Sequence, residues 1–158
     1  MIYYQPIRFE SHDETFKYRL IKKKIFATGY NFGNWELRTP ENKVVAKCMG
    51  SIIVAYPNYM WDGSTVVGKY YEDEITLEAS LLHDILYNAN KNPDNIEVPF
   101  TLFQADKIFK ERLLGLYKNE RNFFKAKIFP NLYYLSLITI GIPWKFGTND
   151  YYKLFITK

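Results

Sequence analysis

The chain has one cysteine, Cys48, in 158 residues. No internal disulfide can form and no cysteine-based metal site can be assembled, so the fold has to rest on its own hydrophobic core. Cys48 ends the apolar stretch Val44-Val45-Ala46, where it reads as a small buried hydrophobe. Strong charge of either sign is also missing. The 21 basic and 17 acidic residues leave a formal charge of +4, too mild for a nucleic-acid footprint, and no RNA-recognition signature accompanies it. The one basic run, Lys22-Lys23-Lys24, leads into Ile25-Phe26 and reads as a solvated strand edge, where lysines discourage pairing with other chains. Met1 to Pro6 lacks the basic start and apolar core of a signal peptide. The most apolar stretch, Leu132 to Ile142, is too short to cross about 30 Å of hydrocarbon. The expectation is a protein that is neither secreted by a signal peptide nor transmembrane, made in a reducing cytosol and kept there or packaged from it, with no nucleic-acid partner.

What is present is an ordinary globular composition, 47% hydrophobic and 24% charged, in a length suited to one domain that buries about two-thirds of its unfolded surface. Aromatic residues are abundant at 18%, mostly Tyr and Phe, and the coding bias that also raises Asn and Lys accounts for them without a stacking surface. The first 60 residues read as strands. Trp35 to Thr39 alternates apolar and polar, Pro40-Glu41-Asn42 supplies turn chemistry, and Val44 to Cys48 returns as a hairpin partner. Gly50 breaks the run before a third strand, Ser51 to Tyr56, while Phe16 to Leu20 and Lys24 to Ala27 add edge strands. From residue 73 the period becomes helical. Asp73 caps a helix through Ala89 that is apolar nearly all round, the mark of burial on most sides. Thr101 and Gln104 form a capping box for a second helix to about Tyr117, and a third is expected over Arg121 to Ile140, interrupted near Pro130. The class is α+β: N-terminal antiparallel β-hairpins, then about three helices, the first two an antiparallel pair. A single domain is expected over residues 1–158, β-rich over 1–60 and helical over 73–142, with a site loop at 59–66 and a C-terminal tail at 143–158.

Candidate chemistry centres on His83-Asp84, two adjacent ionisable residues in the most apolar helix. Burying them without partners would cost several kcal/mol. Tyr87 stands four residues on from His83 and shares its face. On the second helix the apolar stripe of Leu102, Phe103, Phe109, Leu113 and Leu116 contains one carboxylate, Asp106. The short connection between these helices favours an antiparallel pair, which lets Asp106 reach His83. A carboxylate on one imidazole nitrogen fixes the tautomer and leaves the other nitrogen as a base. Just before the first helix, Asp62, Gly63, Ser64 and Thr65 offer a tight turn with oxygen donors, a type of loop that binds calcium or an oxyanion as readily as it binds nothing. A His-Asp-Tyr network that only knits two helices together, beside an ordinary turn, accounts for the same residues.

Trp61-Asp62-Gly63-Ser64-Thr65, Leu82-His83-Asp84-Ile85-Leu86-Tyr87 and Ala105-Asp106-Lys107-Ile108-Phe109, in that order, resemble the phage and prophage family called domain of unknown function 1353. That family combines an Asp-Gly-Ala-Ser type loop, a Leu-His-Asp-x-x-Tyr helix and an Ala-Asp-x-x-Phe helix. Gly141-Ile142-Pro143-Trp144 resembles its closing segment, and the likeness covers about residues 44 to 147. Val66-Val67 departs from the Ile-Pro or Val-Pro pair usual there. More distantly, the His-Asp-x-x-Tyr helix with an Asp on the next helix is similar to the helix pair of phospholipase A2, although the glycine-rich calcium loop of those lipases is absent. That likeness implies that His83 activates water, Asp106 orients it and Tyr87 supports the network. It also implies that Asp84 holds calcium to polarise an ester carbonyl; with Asp62 and loop carbonyls beside it, the hard oxygens suit calcium or magnesium. The expected function is a phage-type, metal-assisted hydrolase of an ester-type bond, with a small-molecule or lipid ester as substrate. The alternative is a non-enzymatic virion component, or a binder of a host factor or small ligand. Either places it in the virion or the infected-cell cytoplasm.

Overall fold

The computed structural model describes residues 4–6, 16, 18–63, 73–92, 94–119, 121, 123–139 and 151–157. Its elements run β1 (Tyr4–Pro6), β2 (Tyr18–Leu20), β3 (Lys24–Ala27), β4 (Asn34–Arg38), β5 (Val44–Met49), β6 (Ile52–Ala55), β7 (Met60–Trp61), α1 (Glu74–Asn90), α2 (Leu102–Asn119), α3 (Phe123–Thr139) and β8 (Lys153–Ile156). The class is α+β, with two antiparallel sheets, β3-β6-β5-β4-β8 and β1-β2-β7.

Two left-handed residues make the hairpins of the larger sheet. Asn42 turns β4 into β5 at φ 64° and Gly50 turns β5 into β6 at φ 61°, a region open to Gly and tolerated by Asn. The alternation read in Trp35–Thr39 then sets register, since successive strand residues face opposite ways. Phe26, Trp35, Leu37, Ala46, Cys48 and Ile53 are all fully buried on one face, and on the other Glu36 lies between Arg38 and Lys47, with ion pairs of 2.9 and 3.0 Å. Cys48 is the small buried hydrophobe expected, and burial pushes its thiol up to about 12.

The chain's C-terminal end corrects the tail reading. Lys153–Ile156 is a strand that pairs with β4, Leu37 opposite Leu154. The β-rich part therefore extends beyond residues 1–60. Tyr152, just before that strand, stacks on Tyr59 at 5.0 Å between ring centres.

Helix α1 is capped by Asp73, whose carboxylate accepts the Thr76 N–H at 2.9 Å. Leu81, Leu82, Ile85, Leu86 and Ala89 join the core under the large sheet, while Ala79 packs into a second core with α2 and α3 residues Phe109, Leu113, Tyr117, Tyr133 and Leu137. A helix apolar nearly all round is thus buried from two sides. Contacts with α2 pair Thr76 with Tyr117, Glu78 with Arg112 and His83 with Asp106. Numbers rise on one helix as they fall on the other, so the pair is antiparallel. The capping box is present: Thr101 Oγ1 accepts from the Gln104 N–H at 3.2 Å and Gln104 Oε1 accepts from the Thr101 N–H at 2.7 Å.

Phe103, expected in the buried stripe of α2, is 55% exposed; the inward positions are Ala105, Asp106, Ile108, Phe109, Leu113 and Tyr117. α3 begins at Phe123 and not at Arg121, which sits at φ 56° outside helical space. Pro130 does not interrupt it but lies inside, where its missing N–H removes one backbone bond.

Candidate functional site

The four-residue spacing on α1 sends polar side chains in two directions. His83 and Tyr87 face α2, where the wholly buried Asp106 meets them. His83 Nε2 lies 3.0 Å from Asp106 Oδ1, and the Tyr87 hydroxyl donates to that same oxygen at 2.6 Å. The His83 ring rests on Tyr87 at 4.2 Å and Phe109 at 5.2 Å between centroids. A buried carboxylate with two donors on one oxygen holds the imidazole in a single orientation, and the packed rings leave it no other. Convergence of His83, Tyr87 and Asp106 between two helices is what the sequence pattern implied.

The second ring nitrogen departs from that reading. Nδ1 is not left to solvent: Asp84 Oδ1 lies 3.3 Å from it, a longer and weaker contact than the one to Asp106. Adjacent helical residues point about 100° apart, but the imidazole plane reaches across that angle and places one nitrogen at each carboxylate. A neutral ring that donates to Asp106 would set its Nδ1 lone pair against the Asp84 carboxylate. A protonated ring donates to both. Burial lowers the His83 pKa, but the hydrogen bonds and charges of Asp106 and Asp84 outweigh it, and the net shift is upward from 6.5. In this arrangement His83 is therefore held toward imidazolium.

Asp84 and Asn88 form the other polar row of α1. Asn88 Nδ2 donates at 2.7 Å to the hydroxyl of Tyr59, which is fully buried. Burial first, then the charges of Tyr152, Asp84 and Asp62, push the Tyr59 hydroxyl well above the ordinary phenol range. Tyr59 directly precedes β7, and Asp62 directly follows it. Asp62 is half-buried and Gly63 is buried at φ 77°. The expected site loop starts as strand, since Met60 and Trp61 pair with β2. Ser64 and Thr65 lie outside the described residues, as do Val66-Val67 and Gly141 to Trp144.

Asp84 and Asp62 offer hard oxygen donors of the kind calcium or magnesium takes, and the one imidazole nearby already has a carboxylate at each nitrogen. Among the described residues no three His, Cys, Asp or Glu side chains gather as a metal cluster, so a cation would draw its remaining donors from backbone carbonyls or water. Tyr59 falls in the expected site loop at 59–66 without a role assigned to it, and Asn88 and Tyr152 were missed in the sequence. Asn88 had a signal, a polar residue four positions from Asp84 in an apolar helix. Tyr152 had none, being 93 positions from Tyr59 (152 minus 59).

No family model, curated protein or solved structure matches this chain. The likeness to the phage family therefore rests on the motif residues themselves. Among the described residues no helix is long and apolar enough to cross a membrane.

Proposed function

We propose that the chain is a phage-type hydrolase of an ester-type bond, with His83 as the base, Asp106 as the group that orients it and Tyr87 as the support of Asp106. One observation carries the reading: His83 Nε2 and the Tyr87 hydroxyl converge on the same oxygen of a fully buried carboxylate. A helix pair needs no such arrangement to pack, and it is the orientation a water-activating imidazole requires, with Nδ1 turned to the more exposed side. His83 acts as a base when Asp84 turns away from Nδ1 and the proton is lost. Asp84, one-fifth exposed at its side chain, has the freedom to do so. Asp84, Asp62 and the Gly63 carbonyl would hold calcium or magnesium. When bound, that ion would polarise the ester carbonyl and stabilise the developing oxyanion.

The contact of Asp84 with Nδ1 favours a second reading, in which both carboxylates only lock the imidazole and the protein is a non-enzymatic virion component or ligand binder. His83→Asn separates the two. In the hydrolase the variant folds and loses at least about a hundredfold in turnover, measured on carboxyl-ester, phospholipid and phosphodiester substrates with and without calcium. A wild-type protein that turns over none of these belongs to the second reading.

A further inference from the structure

α3 is apolar on two opposite sides: one packs against the other helices, and the other presents large apolar side chains that are exposed. Ala126, Pro130, Tyr133 and Leu137 are buried against the other helices. At about 100° per residue, Phe124, Ile128, Leu132 and Leu135 fall in one sector of about 80° on the far side. Phe124 is 75% exposed, Leu132 46% and Leu135 57%, and Phe123, at the start of the helix, is 71% exposed. Such a stripe, with the exposed Asn131 at its edge, is not a packing remnant; monomeric proteins keep large apolar side chains scattered.

Charge says what covers it. The ten residues from Lys118 to Lys127, spanning the α2–α3 turn, contain Lys118, Arg121, Lys125 and Lys127 against the single acid Glu120. Lys125 pairs with Asp73 at 3.1 Å, while Lys118, Arg121 and Lys127 are exposed. Lys125 and Lys127 flank the apolar sector on its two sides. Phe124 in a cationic corner, continued by an aliphatic stripe and with Phe123 exposed beside it at the helix start, is what a helix lying in a membrane interface needs. The rings enter the acyl boundary and the cations meet anionic headgroups. A second copy would bring the same positive corner against this one. A nucleic acid would stack on the rings but gain nothing from Leu132 and Leu135.

We propose that the α2–α3 corner and the outer face of α3 seat the protein on an anionic lipid surface. This stands independently of the His83 chemistry. The test is cosedimentation of the full chain with vesicles of phosphatidylcholine alone or mixed with phosphatidylserine, together with the emission of a Phe124→Trp variant. The expected results are partition onto phosphatidylserine vesicles only, weaker at high salt, with a blue shift of the new tryptophan. Both Phe123→Ser/Phe124→Ser and Lys127→Glu should lower partition about tenfold or more while their circular dichroism stays that of the parent, because the altered side chains are exposed. His83→Asn should bind as the parent does. Absence of partition, equal partition onto phosphatidylcholine alone, or partition unchanged by these substitutions overturns the proposal. So does a dimer in sedimentation analysis that Phe124→Ser dissolves, or binding of a single-stranded oligonucleotide that the same variants abolish.

Discussion

Asp106→Asn removes one charge from a wholly buried position and keeps an oxygen that can accept from Tyr87. In the parent, Asp106 Oδ1 takes bonds from His83 at 3.0 Å and Tyr87 at 2.6 Å. Hydrogen bonds to a charged group are worth about 1.5–3 kcal/mol each, and neutral ones about half that. The substitution should therefore cost about 2–3 kcal/mol where His83 is charged. The pH dependence is the sharper signature. Although burial lowers it, the two carboxylates raise the His83 pKa above 6.5 in the folded chain. Between 6.5 and that higher value the folded state holds one more proton than the unfolded state, so stability falls as pH rises, by at most about 1.4 kcal/mol per pH unit. The contribution is fully present below 6.5 and gone once pH passes the folded value. Asp106→Asn leaves the imidazolium with Asp84 alone and narrows that window. Urea titrations from about pH 5.5 to 9, in buffer stripped of divalent cations, should show a gap between parent and variant that is widest in acid and closes toward alkaline pH. A gap constant across the range, or parent stability that rises through neutral pH, would refute the reasoning.

Two further substitutions probe the frame around the site. Glu78 is buried, which by itself raises its pKa, but bonds from Lys24 at 2.6 Å and from Arg112 bring the net shift below 4.5. Its stabilisation is thus present above pH 4.5 and lost as pH falls through the lower folded value. Glu78→Gln should cost about 1–3 kcal/mol at neutral pH, since both cations are partly in water, and acid titration of stability should show the difference shrinking below that range. Tyr152→Phe deletes a hydroxyl that accepts the Met60 N–H at 2.8 Å and donates to its carbonyl at 3.0 Å. It should lower the unfolding free energy by about 1–3 kcal/mol in a urea titration while the Tyr59–Tyr152 ring stack survives.

The hairpin, the capped helices and Asp106 were legible because each is written in a short window. Trp35–Thr39 alternates, Asp73 and Thr101–Gln104 are caps with known spacing, and a carboxylate inside an apolar stripe contradicts its surroundings. The pairing of β8 was not legible. Lys153–Ile156 is four residues long and lies 115 positions from its partner in β4 (153 minus 38), so only the assembled sheet edge selects it. The exposure of Phe103 was misread for a related reason: periodicity gives a face, but the neighbour decides how wide a sector is covered. The position of Nδ1 lay beyond pattern as well. Adjacent helical positions point about 100° apart, and only the reach of the planar ring brings His83 Nδ1 to Asp84.

A helix buried on two sides must bond the polar groups it buries, and α1 does so through several elements, with α2 at three of five joints. Thr76 meets Tyr117 of α2, Glu78 meets Lys24 of β3 and Arg112 of α2, Ser80 meets Trp61 of β7, His83 meets Asp106, and Asn88 meets Tyr59. Rotating α1 by one residue would break all of these at once, so its angle is fixed far more tightly than apolar packing alone would require. The joints differ in kind. Thr76, Ser80 and Asn88 are neutral, and Glu78 faces permanent cations. At His83 two carboxylates share one imidazole, and that group changes charge nearest neutral pH. Along a helix locked everywhere else, this is the place where losing a proton or moving a carboxylate alters the network without dismantling the fold, which is why the chemistry is sought there.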